Sequence, residues 1–294
     1  MTAPTAAALH RPVLDWYAVH ARDLPWRAAD AAPWGVLVSE VMLQQTPVAR
    51  VLPVWTDWMQ RWPTPGDLAA VASGEAVRAW GRLGYPRRAL RLHATATIIT
   101  LEHGGQIPDS AATLLALPGV GDYTAAAVAA FAFGERTPVV DTNVRRVLAR
   151  VLTGAAAPAP SLRRSEVDLA ARSLPQTGPD AARWNVAVME LGALVCKARS
   201  PVCTRCPIAG RCAWRTAGYP AYQGRPHRTQ SWTGSDRQCR GTLLQQLRDS
   251  PAPLSGARLA PVWSDETQRE RCLAGLVTDA LVQRTPTGDY RLPG

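Results

Sequence analysis

Residues 117–131 read LPGVGDYTAAAVAAF, with Gly119 and Gly121 two apart between one apolar stretch and an alanine-rich one that starts at Asp122. The spacing predicts a short helix, a tight turn and a second helix. Glycines there permit backbone conformations and close approaches denied to other residues, so amides around Gly119, Val120 and Gly121 can face a phosphate at the second helix's N-terminus. An ordinary glycine-capped helix-to-helix turn has the same pattern. SEVMLQQTPV precedes this stretch at 39–48, and VVDTNVRRVLAR follows it at 139–150. Taken singly, Ser39 with Glu40 reads as the capped opening of a helix, and Asp141 as a further N-cap.

From Pro12 to about Cys196 apolar residues recur at helical spacing, broken at RWPTPGD, IPDS and APAPS, and no run of alternating strands appears. This predicts an all-α domain over 1–215. Residues 216–236 have the Pro, Gly and polar content of a linker, and 237–294 form a small C-terminal module. In that module two helical stretches precede LVQRTPTGDYRLP, a hairpin pattern, which suggests a small winged-helix-like tail.

The chain has 294 residues and a net charge of +10, with Lys197 as its only lysine. Such a surplus makes an extended polyanion the first partner to test, nucleic acid ahead of an anionic membrane surface. No signal-like N-terminus and no long apolar span is present, so an intracellular, cytoplasmic protein is expected. In a reducing compartment disulfides are disfavoured. Cys196, Cys203, Cys206 and Cys212, spaced C-x6-C-x2-C-x5-C, therefore read as ligands of either a [4Fe–4S] cluster or a structural zinc. Lys197, Arg199, Arg205 and Arg211 make the same loop cationic enough to meet a DNA backbone. Cys239 and Cys272 read as packing thiols.

The order of these motifs resembles the helix-hairpin-helix DNA glycosylases of the endonuclease III superfamily, and SEVMLQQT resembles their MutY-type, adenine-removing branch. The resemblance spans about residues 12–215. It implies two α-helical subdomains with the active site in the cleft between them, a hairpin that grips DNA, and a [4Fe–4S] cluster on the four cysteines. Lyases of the superfamily carry a nucleophilic lysine just after the hairpin, where this chain has Tyr123. Lys197 lies elsewhere, so the implied enzyme is a monofunctional hydrolase.

By the same resemblance Glu40 protonates adenine at N7, and Asp141 stabilises the oxocarbenium ion or bonds to the sugar before water completes hydrolysis. Tyr123 and Asn143 orient these groups. Arg27, Trp26 and Glu190 meet the base, and Leu43, Gln44, Gln45 and Tyr85 wedge into the duplex as the adenine flips out. The expected partner is duplex DNA with adenine opposite 8-oxoguanine or guanine, bound by a monomer. Three departures stand out: Pro86 replaces a second tyrosine, Val186 stands where relatives often have glutamine, and about eighty residues follow the cysteines instead of a Nudix-like domain. The competing readings are a thymine or uracil mismatch glycosylase, against which Glu40 argues, and a non-catalytic DNA-binding protein.

Overall fold

The computed structural model describes residues 5–222, 224 and 232–294. Its helices, in chain order, are α1 (Ala7–His20), α2 (Pro33–Leu43), α3 (Val48–Arg61), α4 (Pro65–Ala69), α5 (Ser73–Trp80), α6 (Arg87–Glu102), α7 (Ala111–Leu115) and α8 (Asp122–Phe133). There follow α9 (Thr142–Leu148), α10 (Arg164–Arg172), α11 (Gly178–Leu194), α12 (Ala213–Thr216), α13 (Asp236–Asp249), α14 (Gly256–Leu259) and α15 (Glu266–Thr278). Among the described residues the strands are β1 (Gln283–Arg284) and β2 (Tyr290–Arg291), paired antiparallel, with Leu254 bridging to Tyr290. The expected all-α architecture therefore holds. No helix among the described residues is long and apolar enough to cross a membrane.

Two compact units emerge. One comprises the described residues up to 36, then 109–116 and 120–224; the other comprises 37–108, 117–119 and 232–294. In the first, one core is built from Leu9, Val13 and Trp16 of α1, Val144, Val147 and Leu148 of α9, and Trp184, Val188 and Leu191 of α11. Two glycines set how closely α11 approaches its neighbours. A Cβ on Gly178 would lie 2.1 Å from the carbonyl oxygen of Gly134, and one on Gly192 would lie 2.6 Å from the Cβ of Asn143.

In the second unit Trp58 is the hub of an aromatic cluster, edge-on to Trp62 and Trp80 at centroid distances of 5.0 and 5.6 Å. RWPTPGD, read as a break, also starts α4: Thr64 and Asp67 form a capping box around Pro65. Ser39 and Glu40 do not open a helix, because α2 already begins at Pro33. Both lie buried in its second half, so the capping explanation for Glu40 fails.

The tail follows the order helix, bridging residue, two helices, two strands, in which a winged helix lays out its elements. It belongs to the same compact unit as 37–108. The buried Arg248 donates from Nε to the Val77 carbonyl at 2.9 Å, and Arg78 donates back to the carbonyls of Arg248 and Ser250. Burial pulls the Arg248 guanidinium down to about 10, so it stays charged at neutral pH. Cys239 and Cys272 are buried between α13 and α15, and burial, reinforced by the neighbouring Cys272 thiol, pushes Cys239 up to about 12. Of the expected linker, residues 223 and 225–231 lie outside the described residues.

The chain end docks where α5 starts: the Gly74 amide donates to the Pro293 carbonyl at 2.9 Å, and a Cβ on Gly74 would stand 2.2 Å from that oxygen. Gly74→Ala should therefore cost about 1–3 kcal/mol, seen as a lower thermal midpoint, whereas Gly66→Ala, with a Cβ at ordinary contact distance, should cost less.

Candidate active site and cluster loop

Asp141 is the N-cap of α9. Its Oδ1 accepts from the Val144 amide at 2.6 Å, and its Oδ2 accepts from Asn143 Nδ2 at 2.8 Å. The capping reading of Asp141 and its availability for chemistry are therefore compatible, since capping occupies one oxygen. Desolvation pushes its pKa up, and the hydrogen bonds from Val144 and Asn143 pull against that rise. The segment before it is fixed from α11, where buried Asn185 accepts from the Val139 amide at 3.3 Å and donates to the Thr137 carbonyl at 3.0 Å.

Asn143 in turn accepts from Arg146 Nη2 at 2.7 Å, and Arg146 also donates to the carbonyls of Gly192 (2.8 Å) and Cys196 (2.7 Å). A continuous line of hydrogen bonds thus runs from the Asp141 carboxylate to the backbone of the first cysteine ligand. Arg150 lies on the wider π-helical turn Ala149–Thr153 that follows α9. It donates to Cys196 Sγ at 3.4 Å and to the Lys197 and Ala198 carbonyls, with its Cζ 4.5 Å from the Trp214 ring centroid.

Glu190 is fully buried, and arginines meet both its oxygens. Arg22 donates from its backbone amide (3.0 Å), Nε (2.6 Å) and Nη2 (2.7 Å), and Arg27 donates from Nη1 at 3.0 Å. Burial alone would raise the Glu190 pKa, but the Arg22 fork and Arg27 outweigh it and hold the carboxyl below the usual range. Glu190 therefore acts first as the anchor of Arg27, whose side chain keeps 19% of its surface exposed. Trp26 is buried beside Arg27 in the turn Pro25–Arg27. Tyr123, half-buried on α8, packs with Met189 against the core of Ala127, Ala130 and Val139.

In the other unit Glu40 is buried on α2. Leu43 and Gln44 are half-buried, and Gln45 and Tyr85 are exposed and joined, the Tyr85 hydroxyl donating to Gln45 Oε1 at 2.8 Å. Gly119 has φ +77°, and a Cβ there would lie 2.7 Å from that of Arg91. Only glycine fits on both counts. Val120 is buried, and Gly121 is the exposed N-cap of α8, with no side chain of its own to close the helix end. Arg22, Arg88, Arg146 and Asn185 are absent from the sequence-derived set. Arg22 could have been suspected from its place five residues before Arg27, but Arg88 and Arg146 carry no signal beyond helical charge, and Asn185 none beyond a polar residue in a helical stretch.

The four cysteines line one pocket with Val147, Leu191, Val195 and Ile208. Among the described residues no three or more His, Cys, Asp or Glu converge closely enough to hold one metal ion. Four thiols that line one apolar pocket suit the thiolate ligation of an iron–sulfur cluster. Burial pushes the Cys206 thiol up to about 11, so ligation is what would hold it as thiolate at neutral pH. Lys197, Arg199, Arg205 and Arg211 are exposed around the loop. Hydrogen bonds to cluster sulfur raise the reduction potential. Arg150→Met should accordingly lower it at unchanged iron and sulfide content, as read by voltammetry, whereas Cys206→Ala should lose the iron and the visible absorbance.

Residues 38–170 match the model of the HhH-GPD superfamily base excision DNA repair proteins, and residues 196–212 match the iron-sulfur binding domain of endonuclease III. The chain is 53% identical over 286 residues to the adenine DNA glycosylase of Mycobacterium tuberculosis, covering 96% of this chain and 92% of that protein. It is 51% identical over 285 residues to that of Mycolicibacterium smegmatis, covering 96% and 95%. A solved thermostable thymine-DNA glycosylase superposes with a TM-score of 0.65 at 26% identity, covering 72% of this chain and 97% of the other. The cysteine loop is thus a [4Fe–4S] site, which decides between the two metals the spacing left open. With relatives this similar over nearly its whole length, the chain belongs to the adenine DNA glycosylase family of helix-hairpin-helix base excision repair proteins.

Proposed function

We propose that this chain removes adenine mispaired with 8-oxoguanine or guanine from duplex DNA by hydrolysis of the N-glycosidic bond. The observation that carries the reading is Asp141. Its hydrogen bonds come from neutral amides, and the nearby Arg146 guanidinium is bonded to Asn143 in place of the carboxylate, so the negative charge is oriented without a direct ion pair, as stabilising an oxocarbenium ion requires. Glu40, buried on α2, is the acid that gives its proton to N7 and makes adenine a neutral leaving group. Asp141 then balances the sugar cation or bonds to C1′, and water supplies the hydroxyl that completes hydrolysis. Asn143 and Tyr123 hold the geometry, and Arg27, steadied by Glu190 and lying beside Trp26, meets the extruded base. Tyr123 occupies the place of the lyase lysine, which leaves no amine to cut the strand.

DNA is held by the amides of Gly119, Val120 and Gly121, by the cationic cluster loop, and by Leu43, Gln44, Gln45 and Tyr85 in the gap left by the flipped base. When bound, the cluster ties residues 196–212 into one rigid loop that presents its arginines to the phosphates. The chain acts as a monomer on chromosomal DNA inside the cell. A thymine-removing activity, as in the superposing thymine-DNA glycosylase, is disfavoured by Glu40, because a pyrimidine has no N7 to protonate.

Wild type should leave alkali-labile sites in duplexes with adenine opposite 8-oxoguanine or guanine, without cutting the strand itself. Glu40→Gln and Asp141→Asn should each slow this by about a hundredfold or more. Unchanged rates in both variants would remove the carboxylates from the chemistry. Asp141 acts ionised, so the rate falls as pH drops through its raised pKa. Asn143→Ala removes a bond that favours the ionised form and should move this acid limb to higher pH, read from the pH–rate profile. Binding should weaken steeply with salt.

A further inference from the structure

The buried Arg88, in the first turn of α6, joins two separate loops of its unit. Its Nη1 donates to the carbonyls of Val41 (2.7 Å), Met42 (3.2 Å) and Gln44 (2.7 Å), and its Nη2 donates to Thr46 Oγ1 and the Gly84 carbonyl, both at 3.2 Å. Its Cζ lies 5.3 Å from the Trp80 ring centroid and 5.4 Å from that of Tyr85. The carbonyls of Val41 and Met42 belong to the end of α2 and that of Gln44 follows directly after it, where helix oxygens lack helical partners and a cation is favoured. Thr46 and Gly84 belong to the turns that carry Gln45 and Tyr85.

Both turns are strained. Gln45 has φ +54° and Tyr85 has φ +48°, left-handed conformations that non-glycine residues rarely hold without support. Pro86, with φ −63°, adds to the restriction, since a proline limits the residue before it. Further bonds run alongside: Thr46 Oγ1 to the Leu83 carbonyl at 3.3 Å, and Arg50 Nη2 to the Arg82 carbonyl. At the tips, Gln45 and the 55% exposed Tyr85 are bonded to each other.

We infer that Arg88 is a positioning residue for base extrusion: its guanidinium clamps the two strained turns so that Gln45 and Tyr85 form a wedge already set before DNA arrives. This rests on the adenine-removing reading for what the wedge displaces. The clamp needs arginine. A planar fork of fixed donors reaches five acceptors on two loops, whereas a lysine ammonium has three donors at one point. With Pro86 where a second aromatic could stand, Tyr85 is the aromatic of this turn, and its placement matters correspondingly more. A preset wedge spares the ordering of two loops during extrusion, so loss of the clamp slows extrusion more than it weakens encounter with the duplex.

The test uses the full chain with its cluster and a duplex carrying 2-aminopurine opposite guanine, whose fluorescence rises on unstacking. Wild type, Arg88→Lys and Thr46→Val are compared for extrusion, for single-turnover adenine release at saturating enzyme, and for affinity toward undamaged duplex. Arg88→Lys should lower extrusion and release about tenfold, with affinity changed less than about twofold, and Thr46→Val should shift both in the same direction by a few-fold. A purely structural role would lower the fraction of active molecules and leave extrusion per active molecule unchanged. That result, or wild-type extrusion in both variants, would overturn the inference. Should Arg88→Lys fail to fold, Thr46→Val decides. If wild type extrudes the analogue but releases no adenine, the glycosylase reading fails while the clamp is still judged on the extrusion signal.

Discussion

The Arg146 guanidinium donates at once to the Asn143 side chain, the Gly192 carbonyl and the Cys196 carbonyl. Asn143 passes that constraint to Asp141, so the carboxylate proposed for catalysis is oriented by the residue that also fixes the start of the cluster loop. The contact needs α11 to come close, and Gly192 permits it, since a Cβ there would overlap Asn143. A small residue, a fork of donors and a helix cap together set one carboxylate. Because the link is made of short directional bonds, a change at the cluster loop reaches Asp141 as a change of orientation as well as of stability.

The same device recurs. Arg150 holds the backbone of Lys197 and Ala198, Arg22 and Arg27 hold Glu190, Arg88 holds the end of α2, and Arg248 holds the end of α5. In a chain with a single lysine, arginine supplies internal cross-links between segments without regular hydrogen-bonded pairing of their own. A buried guanidinium is expensive to desolvate and is stable only where several oxygens meet it. Arg150, Arg88 and Arg22 meet several, from backbone carbonyls, a hydroxyl or a carboxylate, whereas Arg248 and Arg27 each donate to one. The positive charge first read as an attraction for DNA therefore divides between exposed residues such as Arg199, Arg205 and Arg211 and buried ones that shape the fold.

The parts legible in the sequence were those with local causes. The hairpin shows through Gly119 and Gly121, the α9 cap through Asp141, and the cluster loop through its cysteine spacing. The capping alternative for Glu40 falls because the apolar run from Pro33 already opens α2, a local cue that the Ser39-Glu40 pair by itself obscures. The arginine network was hidden: Arg88 and Arg146 look like ordinary helix-face charges, and apart from Thr46 and Asn143 their acceptors are backbone carbonyls, which carry no side-chain signature. The hold of Pro293 on Gly74 was hidden for the same reason, since a backbone carbonyl meeting a backbone amide leaves no mark on residue type.

Identification of the freed base tests the central claim most directly. Duplexes carrying adenine opposite 8-oxoguanine, adenine opposite guanine, thymine opposite guanine and uracil opposite guanine would each be digested separately, and the released bases identified by mass. Adenine alone, from the first two duplexes and lost in Asp141→Asn, is the predicted result. Release of thymine or uracil in place of adenine would contradict it.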